Sequence, residues 1–168
     1  HALAQAAIDA GAKVMLITSV DLPVPIGAEV VRYESAQALH DALIEHITGY
    51  MILIMAAAVA DFRPATRAEQ KIKKQPDAGE TLALTLERNP DILVSVARRL
   101  KRIPDDTGEH SEIIVGFAAE SENLLNNARA KLEGKGLDMI VGNDISAPDA
   151  GFAADTNRVH ILSRDRDT

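Results

Sequence analysis

Short apolar runs alternate with helix-like segments along almost the whole chain, and that alternation leaves few folds open. The clearest run, Met51-Ile-Leu-Ile-Met55, is continuous, the pattern of a central parallel strand covered on both faces. Ala12–Thr18, Glu29–Tyr33, Ile113–Val115, Leu137–Val141 and Val159–Leu162 read as further strands. Thr81–Glu87 alternates cleanly and reads as a half-buried strand. Between them, Ala2–Ala10 reads as a helix with Gly11 at its C′ position. Ser35 reads as the N-cap of a helix to about Ile47, with Ala36, Leu39, Leu43 and Ile47 on one stripe. Asn89-Pro90-Asp91 reads as a helix start, with Asn at the N-cap, Pro at N1 and an acid in the first turn; the helix runs to about Leu100. Asn123–Lys135 is helical and stopped by Gly136. Strands separated by helices predict an α/β fold: a three-layer, Rossmann-like, doubly wound and mostly parallel sheet with helices on both faces.

Length and composition fit one domain spanning residues 1–168. Apolar residues make up 46% of the chain but aromatic ones only 3%, with no Trp, so the core must be aliphatic. Eighteen basic against 25 acidic residues give a net charge of -7, which disfavours a broad nucleic-acid face. There is no Cys, so disulfides, thiolate metal sites and Cys nucleophiles are excluded. The longest apolar run, Met51–Ala60, is far short of the about 20 residues a bilayer-spanning helix needs. No signal peptide is visible, which makes the cytoplasm the expected location. Residue 1 falls inside a helix pattern and residue 168 inside a charged stretch, so both ends read as cut, with a first strand and its turn expected before residue 1.

Ligands of an open parallel sheet bind beyond the carboxyl ends of its strands. Three such ends stand out: Ala56–Asp61, Gly116–Glu120 and Gly142–Asp144. Small side chains in the first two let backbone groups approach a ligand directly. Basic residues cluster at Lys71-Ile-Lys-Lys74 and at Lys131 with Lys135. The second pair lies i,i+4 on one helix face, where like charges repel by a few tenths of a kcal/mol. Either cluster alone reads as a solvated face; together, on an acidic protein, they suggest a trap for a polyanion such as a nucleoside triphosphate. The helix start at Pro90 reads equally as an anion site or as structural capping. No Gly-x-Gly-x-x-Gly, phosphate-loop or Gly-x-Ser-x-Gly motif is present, and the five His show no metal-ligand spacing. His40 and His160 read as surface or strand-edge residues.

Seven segments then stand in order: Ala56-Ala-Ala-Val-Ala-Asp-Phe-Arg-Pro64, Lys71-Ile-Lys-Lys74, Asn89-Pro-Asp-Ile-Leu93, Val115-Gly-Phe-Ala-Ala-Glu120, Ala128-Arg-Ala-Lys131 with Lys135, Gly142-Asn-Asp-Ile-Ser146, and Gly151-Phe with Asp155-Thr-Asn157. In this order and spacing the chain closely resembles bacterial phosphopantothenate–cysteine ligase (phosphopantothenoylcysteine synthetase), in most bacteria the C-terminal half of a bifunctional coenzyme A biosynthesis flavoprotein. The resemblance implies that CTP activates the carboxylate of 4′-phosphopantothenate as an acyl-cytidylate, releasing pyrophosphate. The amine of cysteine then attacks, releasing CMP. It implies Mg²⁺ with the CTP, a homodimer formed partly through the region after Asp144, a fused flavin-dependent decarboxylase, and no flavin on this domain.

Carried over position by position, the resemblance places Met55, Ala56 and Ala57 on the nucleotide through backbone groups, with Asp61 nearby. Lys71 meets the phosphates as the foremost catalytic residue, with Lys74 beside it and Ala57 at the reaction centre. Pro90, Asp91, Ile92 and Leu93 form a wall at the helix start, Phe117 packs on the nucleotide, and Lys131 and Lys135 complete the basic lining. Asn143 and Asp144 match a family signature without an assigned role, and the metal ligands are unassigned. The family's Arg and Asn for converting the intermediate belong to its first strand and turn and have no counterpart here. A Rossmann-like NAD(P)-binding oxidoreductase is the competing enzyme reading, argued against by the missing glycine fingerprint. A non-catalytic nucleotide-binding fragment is the third.

Overall fold

The computed structural model describes residues 1–72, 81–101, 112–144 and 158–164. Their elements run in the order α1 (Ala2–Asp9), β1 (Met15–Thr18), β2 (Glu29–Arg32), α2 (Ala36–His46), β3 (Ile52–Met55), β4 (Phe62–Pro64), β5 (Leu86–Arg88), α3 (Ile92–Lys101), β6 (Ile113–Glu120), α4 (Leu124–Gly134), β7 (Met139–Asp144) and β8 (Val159–Ser163). β1 and β2 pair in parallel. The main sheet has the order β3-β6-β7-β8, parallel except for the antiparallel β7–β8 edge. The α/β reading with a mostly parallel sheet therefore holds.

Local chemistry sets most of the boundaries. Ser35 caps α2 by accepting from the Ala38 N–H at 3.1 Å. Gly11 and Gly136 follow α1 and α4 at φ +86° and +67°, a left-handed conformation that costs glycine little. The start of α3 differs from the sequence reading. Asp91, not Asn89, caps it, its Oδ1 accepting from the Val94 N–H at 3.2 Å. Asn89 is used elsewhere, as described below.

The register sets Met55 beside Gly116 and Gly116 beside Ile140, so β6 and β7 continue past the end of β3 to the paired tips Glu120 and Asp144. On one face of this sheet lie Ile114, Gly116, Ala118, Ile140 and Leu162, and α2, α3 and α4 pack there. Leu39 and Leu43 from α2, Leu93, Val96 and Ala97 from α3, and Ala128 and Leu132 from α4 form one buried cluster with them. Each wholly buried Leu or Ile of this kind contributes about 1.5–3 kcal/mol. The β3-to-β6 and β6-to-β7 connections advance in the same direction across the sheet, so right-handed crossovers deliver α3 and α4 to one face. Gly116 is a close-packing position: a Cβ there would stand 2.7 Å from Leu137 Cδ1 and 3.4 Å from Leu93 Cδ1.

The opposite face carries Ile52, Ile54, Ile113, Phe117, Val159 and Ile161, each more than a third exposed. The expectation that Met51–Met55 is covered on both faces is therefore corrected: among the described residues, β3 is covered on one face only. Two further differences concern β4 and β5. Phe62–Pro64, read as loop, pairs antiparallel with Leu86–Arg88, and only the last part of the alternating stretch Thr81–Glu87 is strand. Leu82, Leu84 and Leu86 are all more than half exposed, because a three-residue ribbon offers little surface to bury them against. No helix among the described residues is long and apolar enough to cross a membrane.

Candidate functional site

The segment after β3 is a chain of small residues, and Asn89 fastens it. Asn89 is buried, its N–H donates to the Asp61 carbonyl at 2.8 Å, and its Nδ2 donates to the Ala60 carbonyl at 2.7 Å. Its Oδ1 accepts from Arg63 at 2.8 Å, and Arg63 also pairs with Glu87 at 2.8 Å. Both polar atoms of this buried side chain thus have a partner in the segment that follows β3. A cleft of about 380 Å³ opens against that loop, lined by Ser19, Tyr33 and Ser35 from the carboxyl ends of β1 and β2, by Ala58, Val59 and Ala60, and by Asn89. It lies where an open parallel sheet offers its ligand crevice.

Helix α4 supplies the positive charge. Asn127, Lys131 and Lys135 recur every four residues and form one polar stripe beside the buried Ala128 and Leu132. Lys131 Nζ meets Glu120 Oε1 at 2.5 Å, and Asn127 Nδ2 donates to Glu120 Oε2 at 3.0 Å. Lys135 Nζ meets Asp91 Oδ2 at 2.9 Å, at the first turn of α3. The hydrogen bond from Lys131, opposed by partial burial and helped by Asn127, holds the Glu120 carboxyl below its usual range. The i,i+4 repulsion between the two lysines is thereby relieved, since each has its own carboxylate.

The sequence-expected residues distribute as follows. Asp91 and Lys135 are in direct contact, and Lys131 stands at the tip of β6. Met55 ends β3 and packs partly against the core, with Ala56, Ala57 and Asp61 exposed in the loop beyond it. Pro90 is half-buried just before α3, whereas the Ile92 and Leu93 side chains are buried in the core. A ligand at the start of α3 would therefore meet its backbone. Phe117 projects from the sheet face opposite the one packed by α3 and α4, so it shares the strand end with the lysines but not their side. Lys71 lies exposed beyond β4, and Lys74 lies outside the described residues. Among the described residues no group of three His, Cys, Asp or Glu could hold a metal ion.

Glu120 and Asn127 had no assigned role in the sequence reading. The stripe Asn127, Lys131, Lys135 was a legible signal for one of them. Asn143 is a further finding: its Oδ1 is buried at the end of β7 with no hydrogen-bond partner among the described residues. An unpaired buried acceptor of this kind costs about 1–3 kcal/mol.

Comparison with known proteins gives a consistent family. The model of the DNA/pantothenate metabolism flavoprotein C-terminal domain matches residues 1–168. The coenzyme A biosynthesis bifunctional protein CoaBC of Vibrio vulnificus is 41% identical over 162 residues, which is 96% of this chain and 38% of that protein. The chain thus spans about two fifths of the length of the curated relatives it matches. The crystal structure of the C-terminal domain of a CoaBC superposes with a TM-score of 0.71 at 30% identity, covering 98% of this chain and 67% of that one. A mutant Cab2 in complex with phosphopantothenate-cysteine shares the fold, with a TM-score of 0.57 at 18% identity over 83% of this chain and 44% of that one.

Proposed function

This chain belongs to the DNA/pantothenate metabolism flavoprotein C-terminal domain family, and on that premise we propose that it is the domain that joins 4′-phosphopantothenate to cysteine with CTP in coenzyme A biosynthesis. The observation that carries this reading is the meeting of separate motifs. Asn89 ties the start of α3 to Ala60, Asp61 and Arg63, while α4 presents Lys131 to the β6 tip and Lys135 to Asp91. Four of the segments that carry the family resemblance are thus in direct contact.

The chemistry suits such a site. A carboxylate oxygen is a poor leaving group, and transfer of a cytidylyl group to it makes a good one. Pyrophosphate leaves in the first step and CMP in the second, when the cysteine amine attacks the acyl carbon. No covalent nucleophile on the protein is needed. The protein must orient two substrates and neutralise charge that develops on the phosphates.

In this reading Met55, Ala56 and Ala57 line the nucleotide with backbone groups. Asp61 stands near it, and Phe117 flanks it from the far side of the β6 end. The backbone of Pro90, Asp91, Ile92 and Leu93 forms its wall. Lys71 stabilises the charge that develops as the acyl-cytidylate forms, with Lys74 assisting. Lys131 and Lys135 offer the phosphates the N–H groups that their carboxylates leave over. An exposed ion pair is worth only about 0–1 kcal/mol, whereas hydrogen bonds to a charged group reach about 1.5–3 kcal/mol. A multiply charged triphosphate therefore adds more to each ammonium than its ion pair already contributes.

Mg²⁺ bound with the nucleotide would neutralise phosphate charge there. Such an ion is held largely by phosphates and waters, so this donor set needs no cage of three protein ligands. The domain works as a homodimer, and the flavin and its decarboxylase chemistry belong to the remainder of the full-length protein.

The test is pyrophosphate release by the full-length protein with CTP or ATP plus 4′-phosphopantothenate, with and without cysteine. Release that needs CTP and the acid but not cysteine supports the reading. Binding of NAD or NADP with none of CTP would replace it with the oxidoreductase reading.

A further inference from the structure

We propose that Glu120 is a positioning residue of the nucleotide site: it holds the Lys131 ammonium at the carboxyl end of β6 so that its remaining N–H groups meet the triphosphate. The inference rests on the reading above that Lys131 contacts the nucleotide, and it adds a residue to which that reading gives no role.

Glu120 is the last residue of β6, and its side chain lies on the sheet face that α4 packs. Both carboxylate oxygens are engaged: Oε1 takes Lys131 Nζ at 2.5 Å and Oε2 takes Asn127 Nδ2 at 3.0 Å. Asn127 also donates to the Glu122 carbonyl at 3.1 Å, which fastens the carboxylate to the turn between β6 and α4. The plane of the carboxylate is therefore fixed from two successive turns of α4 and from the connecting turn.

The two partners differ in exposure. The Glu120 side chain is 14% exposed and the Lys131 side chain 44%. The carboxylate is the anchor, and the ammonium is the member that faces solvent. A lysine has three N–H donors, of which this contact uses one. A free lysine also loses much rotamer freedom when a ligand fixes it. Here that ordering precedes the ligand, so binding loses less. Lys135 differs: its partner Asp91 already caps α3 through Val94, so that carboxylate has structural work of its own.

The experiment is a double-mutant cycle in the full-length protein, read as CTP-dependent pyrophosphate release and as equilibrium CTP binding. Lys131→Met raises the KM for CTP about tenfold, the loss expected for one charge-assisted contact. Glu120→Gln raises KM several-fold, with the effect on KM rather than on kcat, and Glu120→Asp, one methylene shorter, lies in between. The Glu120→Gln/Lys131→Met double variant has the KM of Lys131→Met alone. A Glu120 that merely stapled α4 to β6 would lower kcat and KM performance alike and would act equally with Lys131 removed. Multiplicative effects in the double variant, or an unchanged KM in Glu120→Gln beside a raised KM in Lys131→Met, overturn the proposal and leave the ligase reading intact. An unchanged KM in Lys131→Met overturns both the proposal and the placement of Lys131 on the nucleotide. Should Glu120→Gln lower the folded fraction, Glu120→Asp completes the same cycle.

Discussion

Lys135 Nζ stands 2.9 Å from Asp91 Oδ2, joining the C-terminal end of α4 to the first turn of α3. Both residues belong to segments that carry the family resemblance, and neither has the other within its own local pattern. The contact gives Asp91 two duties, since its other oxygen caps α3 at Val94. It also places a cation beside a helix start, where an anionic ligand finds backbone N–H groups as well.

Lys71→Gln in the full-length protein is expected to lower pyrophosphate release with CTP and 4′-phosphopantothenate by about 10²-fold or more, the scale of losing one charge-stabilising group at a reacting centre. Lys71 is exposed, so stability should change by no more than about 0.5 kcal/mol. Normal release by a folded variant would remove the catalytic role assigned to Lys71.

Gly116→Ala places a methyl 2.7 Å from Leu137 Cδ1, the tip of a wholly buried side chain that must shift to admit it. Overpacking of this kind costs about 1–3 kcal/mol. Urea unfolding should show a lower midpoint with an unchanged slope. A midpoint equal to that of the parent would mean that the β6–β7 layer is looser than the structure indicates.

Asn89→Ala removes the donor to the Ala60 carbonyl and the acceptor of Arg63. Each of these part-buried hydrogen bonds contributes about 0.5–1.5 kcal/mol. The same change frees the segment after β3, so weaker CTP binding should accompany the loss of stability. Isothermal titration beside thermal unfolding separates the two effects; stability lost with CTP affinity kept would detach this loop from the nucleotide.

The Glu120 carboxyl is held below its ordinary value of 4.5, chiefly by the hydrogen bond from Lys131. A group whose folded value is depressed contributes stability that is complete above its unfolded value and is lost as pH falls through the folded one. The acid side of the stability profile, from about pH 4.5 downward, should therefore steepen in the parent and flatten in Lys131→Met. Identical acid limbs in parent and variant would show that the pair is not formed in solution.

The order of strands and helices was legible because period, caps and breakers act between near neighbours in sequence. Ser35, Gly11 and Gly136 end or begin helices where their letters say they should. The pairing of Phe62–Pro64 with Leu86–Arg88 was not legible, since the distant alternating stretch that would supply its partner forms strand only at its end. Asn89 shows the same limit: by its neighbours it is a cap, yet in the fold it bonds Ala60, Asp61 and Arg63.

By itself the sequence determined an α/β chain with an aliphatic core, small-residue strand ends and two lysines one turn apart on a helix. Only the tertiary structure decided that those lysines meet Glu120 and Asp91, that Ile92 and Leu93 turn into the core, and that Phe117 lies on the other side of the sheet. The reason is physical. Helix and strand patterns are set by covalent geometry and local hydrogen bonds, whereas which side chains touch depends on strand register and on the face to which each crossover delivers its helix.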